Sequence, residues 1–214
     1  GGTSVVESAD VAVDANGNTF ITGNFKGTAT IGAFTLASPD DRSAFIVKLD
    51  TNGGVVWARK AGSTDGDVKG ANITVDESGN AYITGNFFKS ADFGTTTVTA
   101  TRDEQVYIAK YSSNGEVAWV KMAGGLGSCF THDITTDRSG NLYLAGQFWL
   151  TAVFGTTTLS NYSDVTKPAD VFIAKYDTNG NALWARQAGG TDGNDVAAGI
   201  TVDADGNSYI TGFY

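Results

Sequence analysis

The chain repeats itself with a period of about 62 residues, and this period constrains its fold more than any other feature. One segment with the pattern D-x-x-G-N, followed by a run of β-branched and aromatic residues, occurs four times. The leading acids of the four copies are Asp14, Asp76, Asp137 and Asp203. A second segment occurs three times, with its tryptophans at Trp57, Trp119 and Trp184. Such a period predicts a repeat architecture in which each unit buries its apolar surface against the next.

Each unit is predicted to contain four strands. In the second unit we expect strand A around Ile73–Val75, strand B at Tyr82–Phe87, a small hairpin around FGTTT, strand C at Tyr107–Tyr111 and strand D at Val117–Lys121. The D-x-x-G-N pattern predicts a tight turn between strands A and B. Strands B and C carry apolar residues on both faces, so each sheet must be covered on both sides.

Four-stranded sheets stacked face to face around an axis meet that demand, and we therefore predict an all-β fold made of β-propeller blades. A β-solenoid is the alternative, although its coils are usually shorter than this repeat. Strands A and B occur four times and strands C and D three times, which predicts about three and a half blades, in units spanning 9–70, 71–132, 133–198 and, in part, 199–214. Because closed propellers have about four to eight blades, we expect residues 1–214 to be a single segment of a larger propeller.

The motifs D-x-x-G-N-x-Y-[IV]-T-G, F-I-A-K-Y-D-x-N-G-N and W-A-[RK]-x-A-G-G-T, in this fixed order, resemble the bacterial β-propeller repeat known as SBBP. The resemblance implies one blade per unit and an exported or cell-surface bacterial protein, similar to secreted proteins of the Bacteroidota. It implies no catalytic motif. The third unit departs from the pattern, because AGGLGSCFTHDITTD replaces the AGxTDGxD connection found at Ala61–Asp67 and Ala188–Asp195.

Charge and cysteine content exclude several classes of partner. Fourteen Lys and Arg residues against 23 Asp and Glu residues give a net charge of −9, and the cations recur singly rather than in clusters. Nucleic-acid binding needs clustered cations, so we expect no nucleic-acid partner. No apolar stretch approaches eighteen residues, so we expect no membrane insertion. The single cysteine, Cys129, excludes an intrachain disulfide.

The repeated acids allow a metal interpretation and a structural one. The segment from Asp203 to Asn207 resembles the start of a calcium loop, and only this copy offers a second carboxylate, Asp205. No bidentate Glu follows at the spacing of an EF-hand, and an Asx-type turn explains all four copies. We therefore expect no metal and no cofactor, with calcium at Asp203 and Asp205 as the open alternative. The acids of the connections are expected to cap local backbone, with a cation as the alternative; they are Asp65, Asp67, Asp192 and Asp195.

Cys129, His132 and Asp133 lie within five residues, a combination that can supply a nucleophile and a base. On an extended segment, however, residues three apart point to opposite faces. We therefore expect no catalytic residues. The periodic tryptophans are expected to pack between blades, and the periodic cations to pair between blades or to lie at a solvated edge.

Two features break the repeat and are candidates for contact with a partner. Trp149 stands where the other units have Lys26 and Phe88. The loop from Ser160 to Asp170 has about four extra residues compared with the second unit and contains Asn161 and Tyr162. Variable loops on a rigid scaffold are common recognition sites, so Trp149, Asn161 and Tyr162 are the candidate contact residues. A repacked core is the alternative for Trp149.

The leading interpretation is a non-enzymatic extracellular scaffold, adhesion or binding module of a larger secreted or surface protein. Its partner would be a protein, a glycan or the remaining blades of the same polypeptide. One alternative is an accessory propeller domain of a secreted enzyme whose catalytic domain lies elsewhere. Another is a hydrolase or lyase that uses carboxylates at the axial channel. That class needs a unique cluster of acids, whereas the acids here recur in every unit.

Overall fold

The computed structural model describes residues 5–100, 102, 104–161, 168–190 and 193–213, and all the regular elements in these ranges are β-strands. The first four strands are β1 (Val6–Val13), β2 (Thr19–Ile31), β3 (Phe34–Leu49) and β4 (Val55–Ala61). The next six are β5 (Val68–Val75), β6 (Ala81–Phe87), β7 (Ser90–Asp92), β8 (Thr97–Thr99), β9 (Gln105–Tyr111) and β10 (Val117–Ala123). Six more are β11 (Cys129–Thr136), β12 (Leu142–Phe148), β13 (Thr151–Phe154), β14 (Thr157–Ser160), β15 (Asp170–Tyr176) and β16 (Ala182–Ala188). The last two are β17 (Val196–Val202) and β18 (Ser208–Phe213).

These strands form three four-stranded antiparallel sheets and a final two-stranded hairpin. The first sheet has the order β1-β2-β3-β4, the second β5-β6-β9-β10 and the third β11-β12-β15-β16, while β17 pairs with β18 in the final hairpin. The prediction of an all-β fold with four-stranded antiparallel sheets is confirmed. The strand expected around Ile73–Val75 begins earlier, at Val68, because a β-bulge between Gly70 and Asn72 lets the pairing continue.

The small hairpin expected between strands B and C is present in all three sheets, in two forms. In the second and third sheets it is separate, formed by β7–β8 and β13–β14. In the first sheet β2 and β3 extend to form it themselves, pairing Gly27–Ile31 with Phe34–Ser38. Isolated bridges between Gly62 and Asp92, and between Gly124 and Val153, tie each separate hairpin to the connection that leads from one sheet to the next.

The first strands of the sheets, β1, β5, β11 and β17, lie side by side, with the outer strands β4, β10 and β16 at the far edges. Side chains on these first strands bond across the sheets. Asp10 Oδ2 accepts a hydrogen bond from the backbone N–H of Ile73 at 2.9 Å. Asp133 Oδ2 accepts one from the N–H of Ile200 at 2.8 Å. Asn72 Nδ2 donates to the carbonyl oxygen of His132 at 2.9 Å, so a side-chain hydrogen bond joins each first strand to the next.

A β-bulge in each first strand explains the glycine that recurs in the T-G pair of the second strand. The pairing shifts register by one residue in β1, β5, β11 and β17, at Ala9, Ala71, His132 and Ala198. The glycine opposite has no space for a side chain: a Cβ at Gly85 would lie 1.8 Å from the carbonyl oxygen of Lys69, and one at Gly146 would lie 1.9 Å from that of Phe130. The recurring glycine is therefore required by the bulge.

The central strand β6 of the second sheet is buried on both faces, as the sequence predicts. All seven residues of β6 are buried. Trp57 lies in the core between the first and second sheets, where its ring stacks on Tyr111 and its Nε1 donates to the carbonyl oxygen of Ser113 at 3.1 Å. Trp119 donates in the same way to Thr178 of the third sheet at 3.0 Å. The periodic tryptophans therefore pack between consecutive sheets.

We predict that Gly146→Ala destabilises the chain by about 1–3 kcal/mol, because the new methyl group would overlap the carbonyl oxygen of Phe130. Gly190→Ala is the matched control, since a Cβ at Gly190 would meet nothing within 4 Å. The measurement is the free energy of unfolding in urea for both variants and the parent. Equal losses in the two variants would contradict the role given to the bulge.

Candidate functional site

The antiparallel topology places two kinds of chain segment at opposite ends of the sheets. One end, the turn face, carries the turns 14–18, 50–54, 76–80, 112–116, 137–141, 177–181 and 203–207. The other end, the connection face, carries the described parts of the loops between second and third strands and of the connections 62–67, 124–128 and 189–195 between sheets. The two faces differ in how closely they follow the repeat.

The turn face is regular. In each of its seven turns the first residue donates from its N–H to the carbonyl oxygen of the fifth and accepts from the N–H of the fourth. At Asp203 the carboxylate adds four bonds: Oδ1 accepts from the N–H groups of Asp205 and Asn207, and Oδ2 accepts from Asn207 Nδ2 and the hydroxyl of Tyr209. This is the geometry of the Asx turn expected from the sequence. Calcium at Asp203 and Asp205 stays a prediction.

Charged groups also join the sheets at the turn face. Lys175 Nζ lies 3.4 Å from Asp137 Oδ2 and 4.6 Å from the centre of the Tyr143 ring. Partial burial raises the pKa of Asp137, but the hydrogen bonds from Asn141 and the charge of Lys175 outweigh it, so the pKa lies below its ordinary value of 3.8. The Tyr143 hydroxyl is 3.3 Å from the carbonyl oxygen of Gly206 in the final hairpin. The equivalent lysines of the first two sheets cross to the next sheet: Lys48 Nζ donates to the carbonyl oxygen of Ser113 at 3.3 Å, and Lys110 Nζ donates to that of Thr178 at 3.3 Å.

The connection face is irregular, and it holds an apolar patch that we call the rim patch, consisting of Leu126, Phe130 and Trp149. The Phe130 and Trp149 rings meet edge to face with centroids 5.9 Å apart. Leu126 is 54% exposed and precedes Gly127, which lies against the backbone and Cβ of Trp149. The equivalents of Phe130 and Trp149 in the first sheet are Glu7 and Lys26. In the second sheet they are Lys69 and Phe88, so the pairing of two rings arises from the departure of the third unit from the repeat.

The structure places the three candidate contact residues differently. Trp149 is half-buried in the rim patch. Asn161 Nδ2 donates to the carbonyl oxygen of Pro168 at 2.7 Å and so closes the base of the extended loop. Tyr162 lies outside the described residues. All three remain predictions as contact residues, and the structure adds Leu126 and Phe130 to them.

Cys129 and His132 lie in the first strand of the third sheet and differ in environment. Cys129 is fully buried in the core between the second and third sheets, and burial raises the pKa of its thiol. His132 is the bulge residue, and partial burial lowers the pKa of its imidazole. Its Nε2 and Gln147 Oε1 are both buried, and the interaction between the two side chains partly opposes the lowering. A thiol held neutral in an apolar core is a poor nucleophile.

A pair of buried carboxylates also lies at the connection face. Asp170 begins β15 and Asp195 immediately precedes β17; they are 6% and 4% exposed. A Cβ at Gly189 would lie 2.3 Å from Asp170 Oδ1 and 2.9 Å from Asp195 Oδ2, so both carboxylates crowd one glycine. Burial, and then the negative charge of Asp195, raises the pKa of Asp170. The repeat pattern pointed to Asp195 but not to Asp170, although the aligned units show Asp170 in place of Ser43 and Gln105.

A cleft of about 440 Å³ lies between the third sheet and the final hairpin, lined in part by Val171, Ile210 and Phe213. Between the earlier sheets the corresponding second-strand residues, Phe87 and Phe148, are fully buried. The equivalent residue here is Tyr214, which lies outside the described residues. Within the described ranges, no helix has the length and apolar character that crossing a membrane requires.

Comparison with known families supports the repeat type. The model of the SBBP beta-propeller repeat matches residues 56–86 and 183–212. Each match runs from the outer strand of one sheet, across a connection, to the second strand that follows. The corresponding stretch between the second and third sheets, which holds Leu126 and Phe130, lies outside both matches.

Two individual proteins are similar over most of the chain. An uncharacterized WD repeat-containing protein of Acanthamoeba polyphaga mimivirus is 25% identical over 92% of this chain, which spans 16% of that protein's length. A crystal structure of a protein of unknown function from Bacteroides caccae aligns with 96% of this chain and 53% of its own, at 11% identity and a TM-score of 0.45.

We predict that the ion pair at Asp137 stabilises the chain at neutral pH by about 1 kcal/mol and is lost in acid. The folded-state pKa of Asp137 is depressed, so its contribution is full above about pH 4 and falls as the pH drops through the folded-state value. The free energy of unfolding of Asp137→Asn should therefore be lower than that of the parent at pH 7 and should approach it near pH 3. Asp205→Asn, an exposed carboxylate in the equivalent turn, should show no such convergence. A constant gap between parent and Asp137→Asn at both pH values would contradict the assignment.

Proposed function

We propose that this chain is a scaffold of β-propeller repeats that binds a partner protein through its connection face. The observation that carries the proposal is the division between the two faces. The turn face repeats one hydrogen-bonded turn seven times, whereas blade-specific residues collect at the connection face. A rigid framework with variable loops at one end is a common arrangement for recognition.

The rim patch is the part of this face best suited to a protein partner. It presents an exposed leucine, Leu126, in the connection that leads to Phe130, together with the paired rings of Phe130 and Trp149. Aromatic anchors surrounded by polar residues are typical of the central residues of protein interfaces. The SBBP match and the WD-repeat relative support an interaction module in general. We propose that the rim patch is the binding surface of this module.

We further propose that the chain has no catalytic role of its own. The burial of Cys129 and the partial burial of His132 favour this, because a nucleophile and base must reach a substrate. An accessory role beside a catalytic domain elsewhere is compatible with the same binding face. The three sheets and final hairpin would be blades of a larger propeller, which is supported by the side-by-side packing of β1, β5, β11 and β17. An extracellular or cell-surface location and a bacterial source rest on the repeat resemblance alone and remain predictions.

We predict that Leu126→Ala and Trp149→Ala weaken partner binding about tenfold or more while leaving the sheets folded, because they remove the apolar surface of the rim patch. The parent and each variant would be immobilised and incubated with the same protein extract, and the captured proteins would be quantified by mass spectrometry. The same proteins in solution would be applied to a glycan array. Circular dichroism would verify folding.

Two controls make this experiment specific. Leu183→Ala removes an equally exposed leucine, 53% exposed, from the outer strand β16. His132→Ala removes the one histidine of the sequence. Both should capture the same proteins as the parent. Unchanged capture by the Leu126 and Trp149 variants would contradict the binding site, and selective glycan binding would show that the partner is not a protein.

A further inference from the structure

The carboxylate pair Asp170 and Asp195 is specific to the junction between the third sheet and the final hairpin. At the two earlier junctions the equivalent positions hold Ser43 with Val68, and Gln105 with Cys129. Val68 and Cys129 are fully buried. Two acids have therefore replaced a neutral polar residue and an apolar one at a buried position.

Two like charges at a buried site are costly unless a positive group or proton compensates them. In the described part of the chain neither carboxylate forms an ion pair with Lys or Arg. The bonds that these residues do make are few: Asp195 Oδ2 accepts from the N–H of Gly190 at 2.7 Å, and Asp170 Oδ2 lies 3.4 Å from Gln187 Nε2. Asp170 Oδ1 is buried and has no partner among the described residues.

The second sheet shows what kind of group this position normally presents. There Gln105 Nε2 donates toward the carbonyl oxygens of the connection, at 3.5 Å to Gly125 and 3.4 Å to Gly127. Asp170 replaces that donor with an acceptor, and the position equivalent to Gly125 is Gly190. A hard cation, which takes carboxylate oxygens as ligands, would supply a positive group beside Asp170.

We propose that Asp170 and Asp195 bind one hard divalent cation, of the calcium class, at this junction. Calcium takes carboxylate oxygens, backbone carbonyl oxygens and water in variable geometry. The unpartnered Asp170 Oδ1 supplies the first ligand and Asp195 the second. The site is distinct from the turn at Asp203, and it does not depend on the proposed partner binding.

The test is titration of CaCl₂, and separately of MgCl₂, into the full chain after treatment with EDTA, followed by calorimetry and thermal melting. We expect one calcium per chain with a dissociation constant of about 10⁻⁴–10⁻³ M, and a melting temperature that rises with calcium. Asp170→Asn and Asp195→Asn should each weaken calcium binding by at least about tenfold. Circular dichroism would show whether each variant is folded. If Asp170→Asn does not fold, Asp170→Gln replaces it in the test, because Gln is the residue at the equivalent position of the second sheet.

Asp205→Ser is the matched control, because Ser78 and Ser139 occupy the same position in the two preceding turns. It should bind calcium like the parent. The proposal is overturned if the parent releases no binding heat with calcium, or if Asp205→Ser loses binding that Asp170→Asn keeps. It is also overturned if calcium leaves the parent unchanged while Asp170→Asn melts higher than the parent in EDTA, since that result indicates a proton shared between the two carboxylates.

Discussion

Each four-stranded sheet is apolar on both faces, so it is stable only when a neighbour covers each of them. The first strands provide the fixed line along which the sheets meet. A bulge in each of these strands displaces one residue, and the strand can approach closely because a glycine lies opposite. Immediately after the bulge, the carboxylates of Asp10 and Asp133 accept hydrogen bonds from a backbone N–H in the first strand of the following sheet. At the turn face, the tryptophan of one sheet then reaches a turn carbonyl of the next.

This geometry divides the repeat into positions whose residues bond to a neighbouring sheet and positions whose residues can be substituted with less effect on the fold. The turns and the tryptophan, lysine and tyrosine side chains at the turn face bond both within a unit and to the next unit, so a change there disturbs two sheets. The described parts of the connection-face loops bond within their own junction, as by the bridge between Gly124 and Val153 and the bond from Asn161 to Pro168. Substitutions such as Leu126 and Trp149 can therefore accumulate at this end without loss of the fold, which is the physical basis for placing binding there.

The sequence was sufficient for the strands, because turn chemistry and apolar residues on both faces recur in every unit. It predicted the Asx turn at Asp203 for the same reason. It did not predict that β2 and β3 would extend into one long hairpin, since FGTTT and IGAFT both contain a turn glycine between strand-forming residues. The pair of Asp170 and Asp195 was also missed, because its members belong to different units and meet only when the third sheet packs on β17. Aligning the units shows each substitution, but only the fold shows that the two are neighbours.

The buried pair changes what holds the final hairpin to the third sheet. At the earlier junctions the equivalent contact is made by neutral groups and is independent of the solution. With two carboxylates the contact depends on whatever neutralises them, so the packing of β17 against β11 and β12 becomes linked to cation concentration. Extracellular calcium modules have dissociation constants of about 10⁻⁴–10⁻³ M, whereas cytosolic sensors bind far more tightly. A site with only two carboxylates belongs at the weak end of this scale, since affinity rises with ligand charge. Such a site is filled where calcium is abundant, so its affinity would bear directly on the predicted extracellular location.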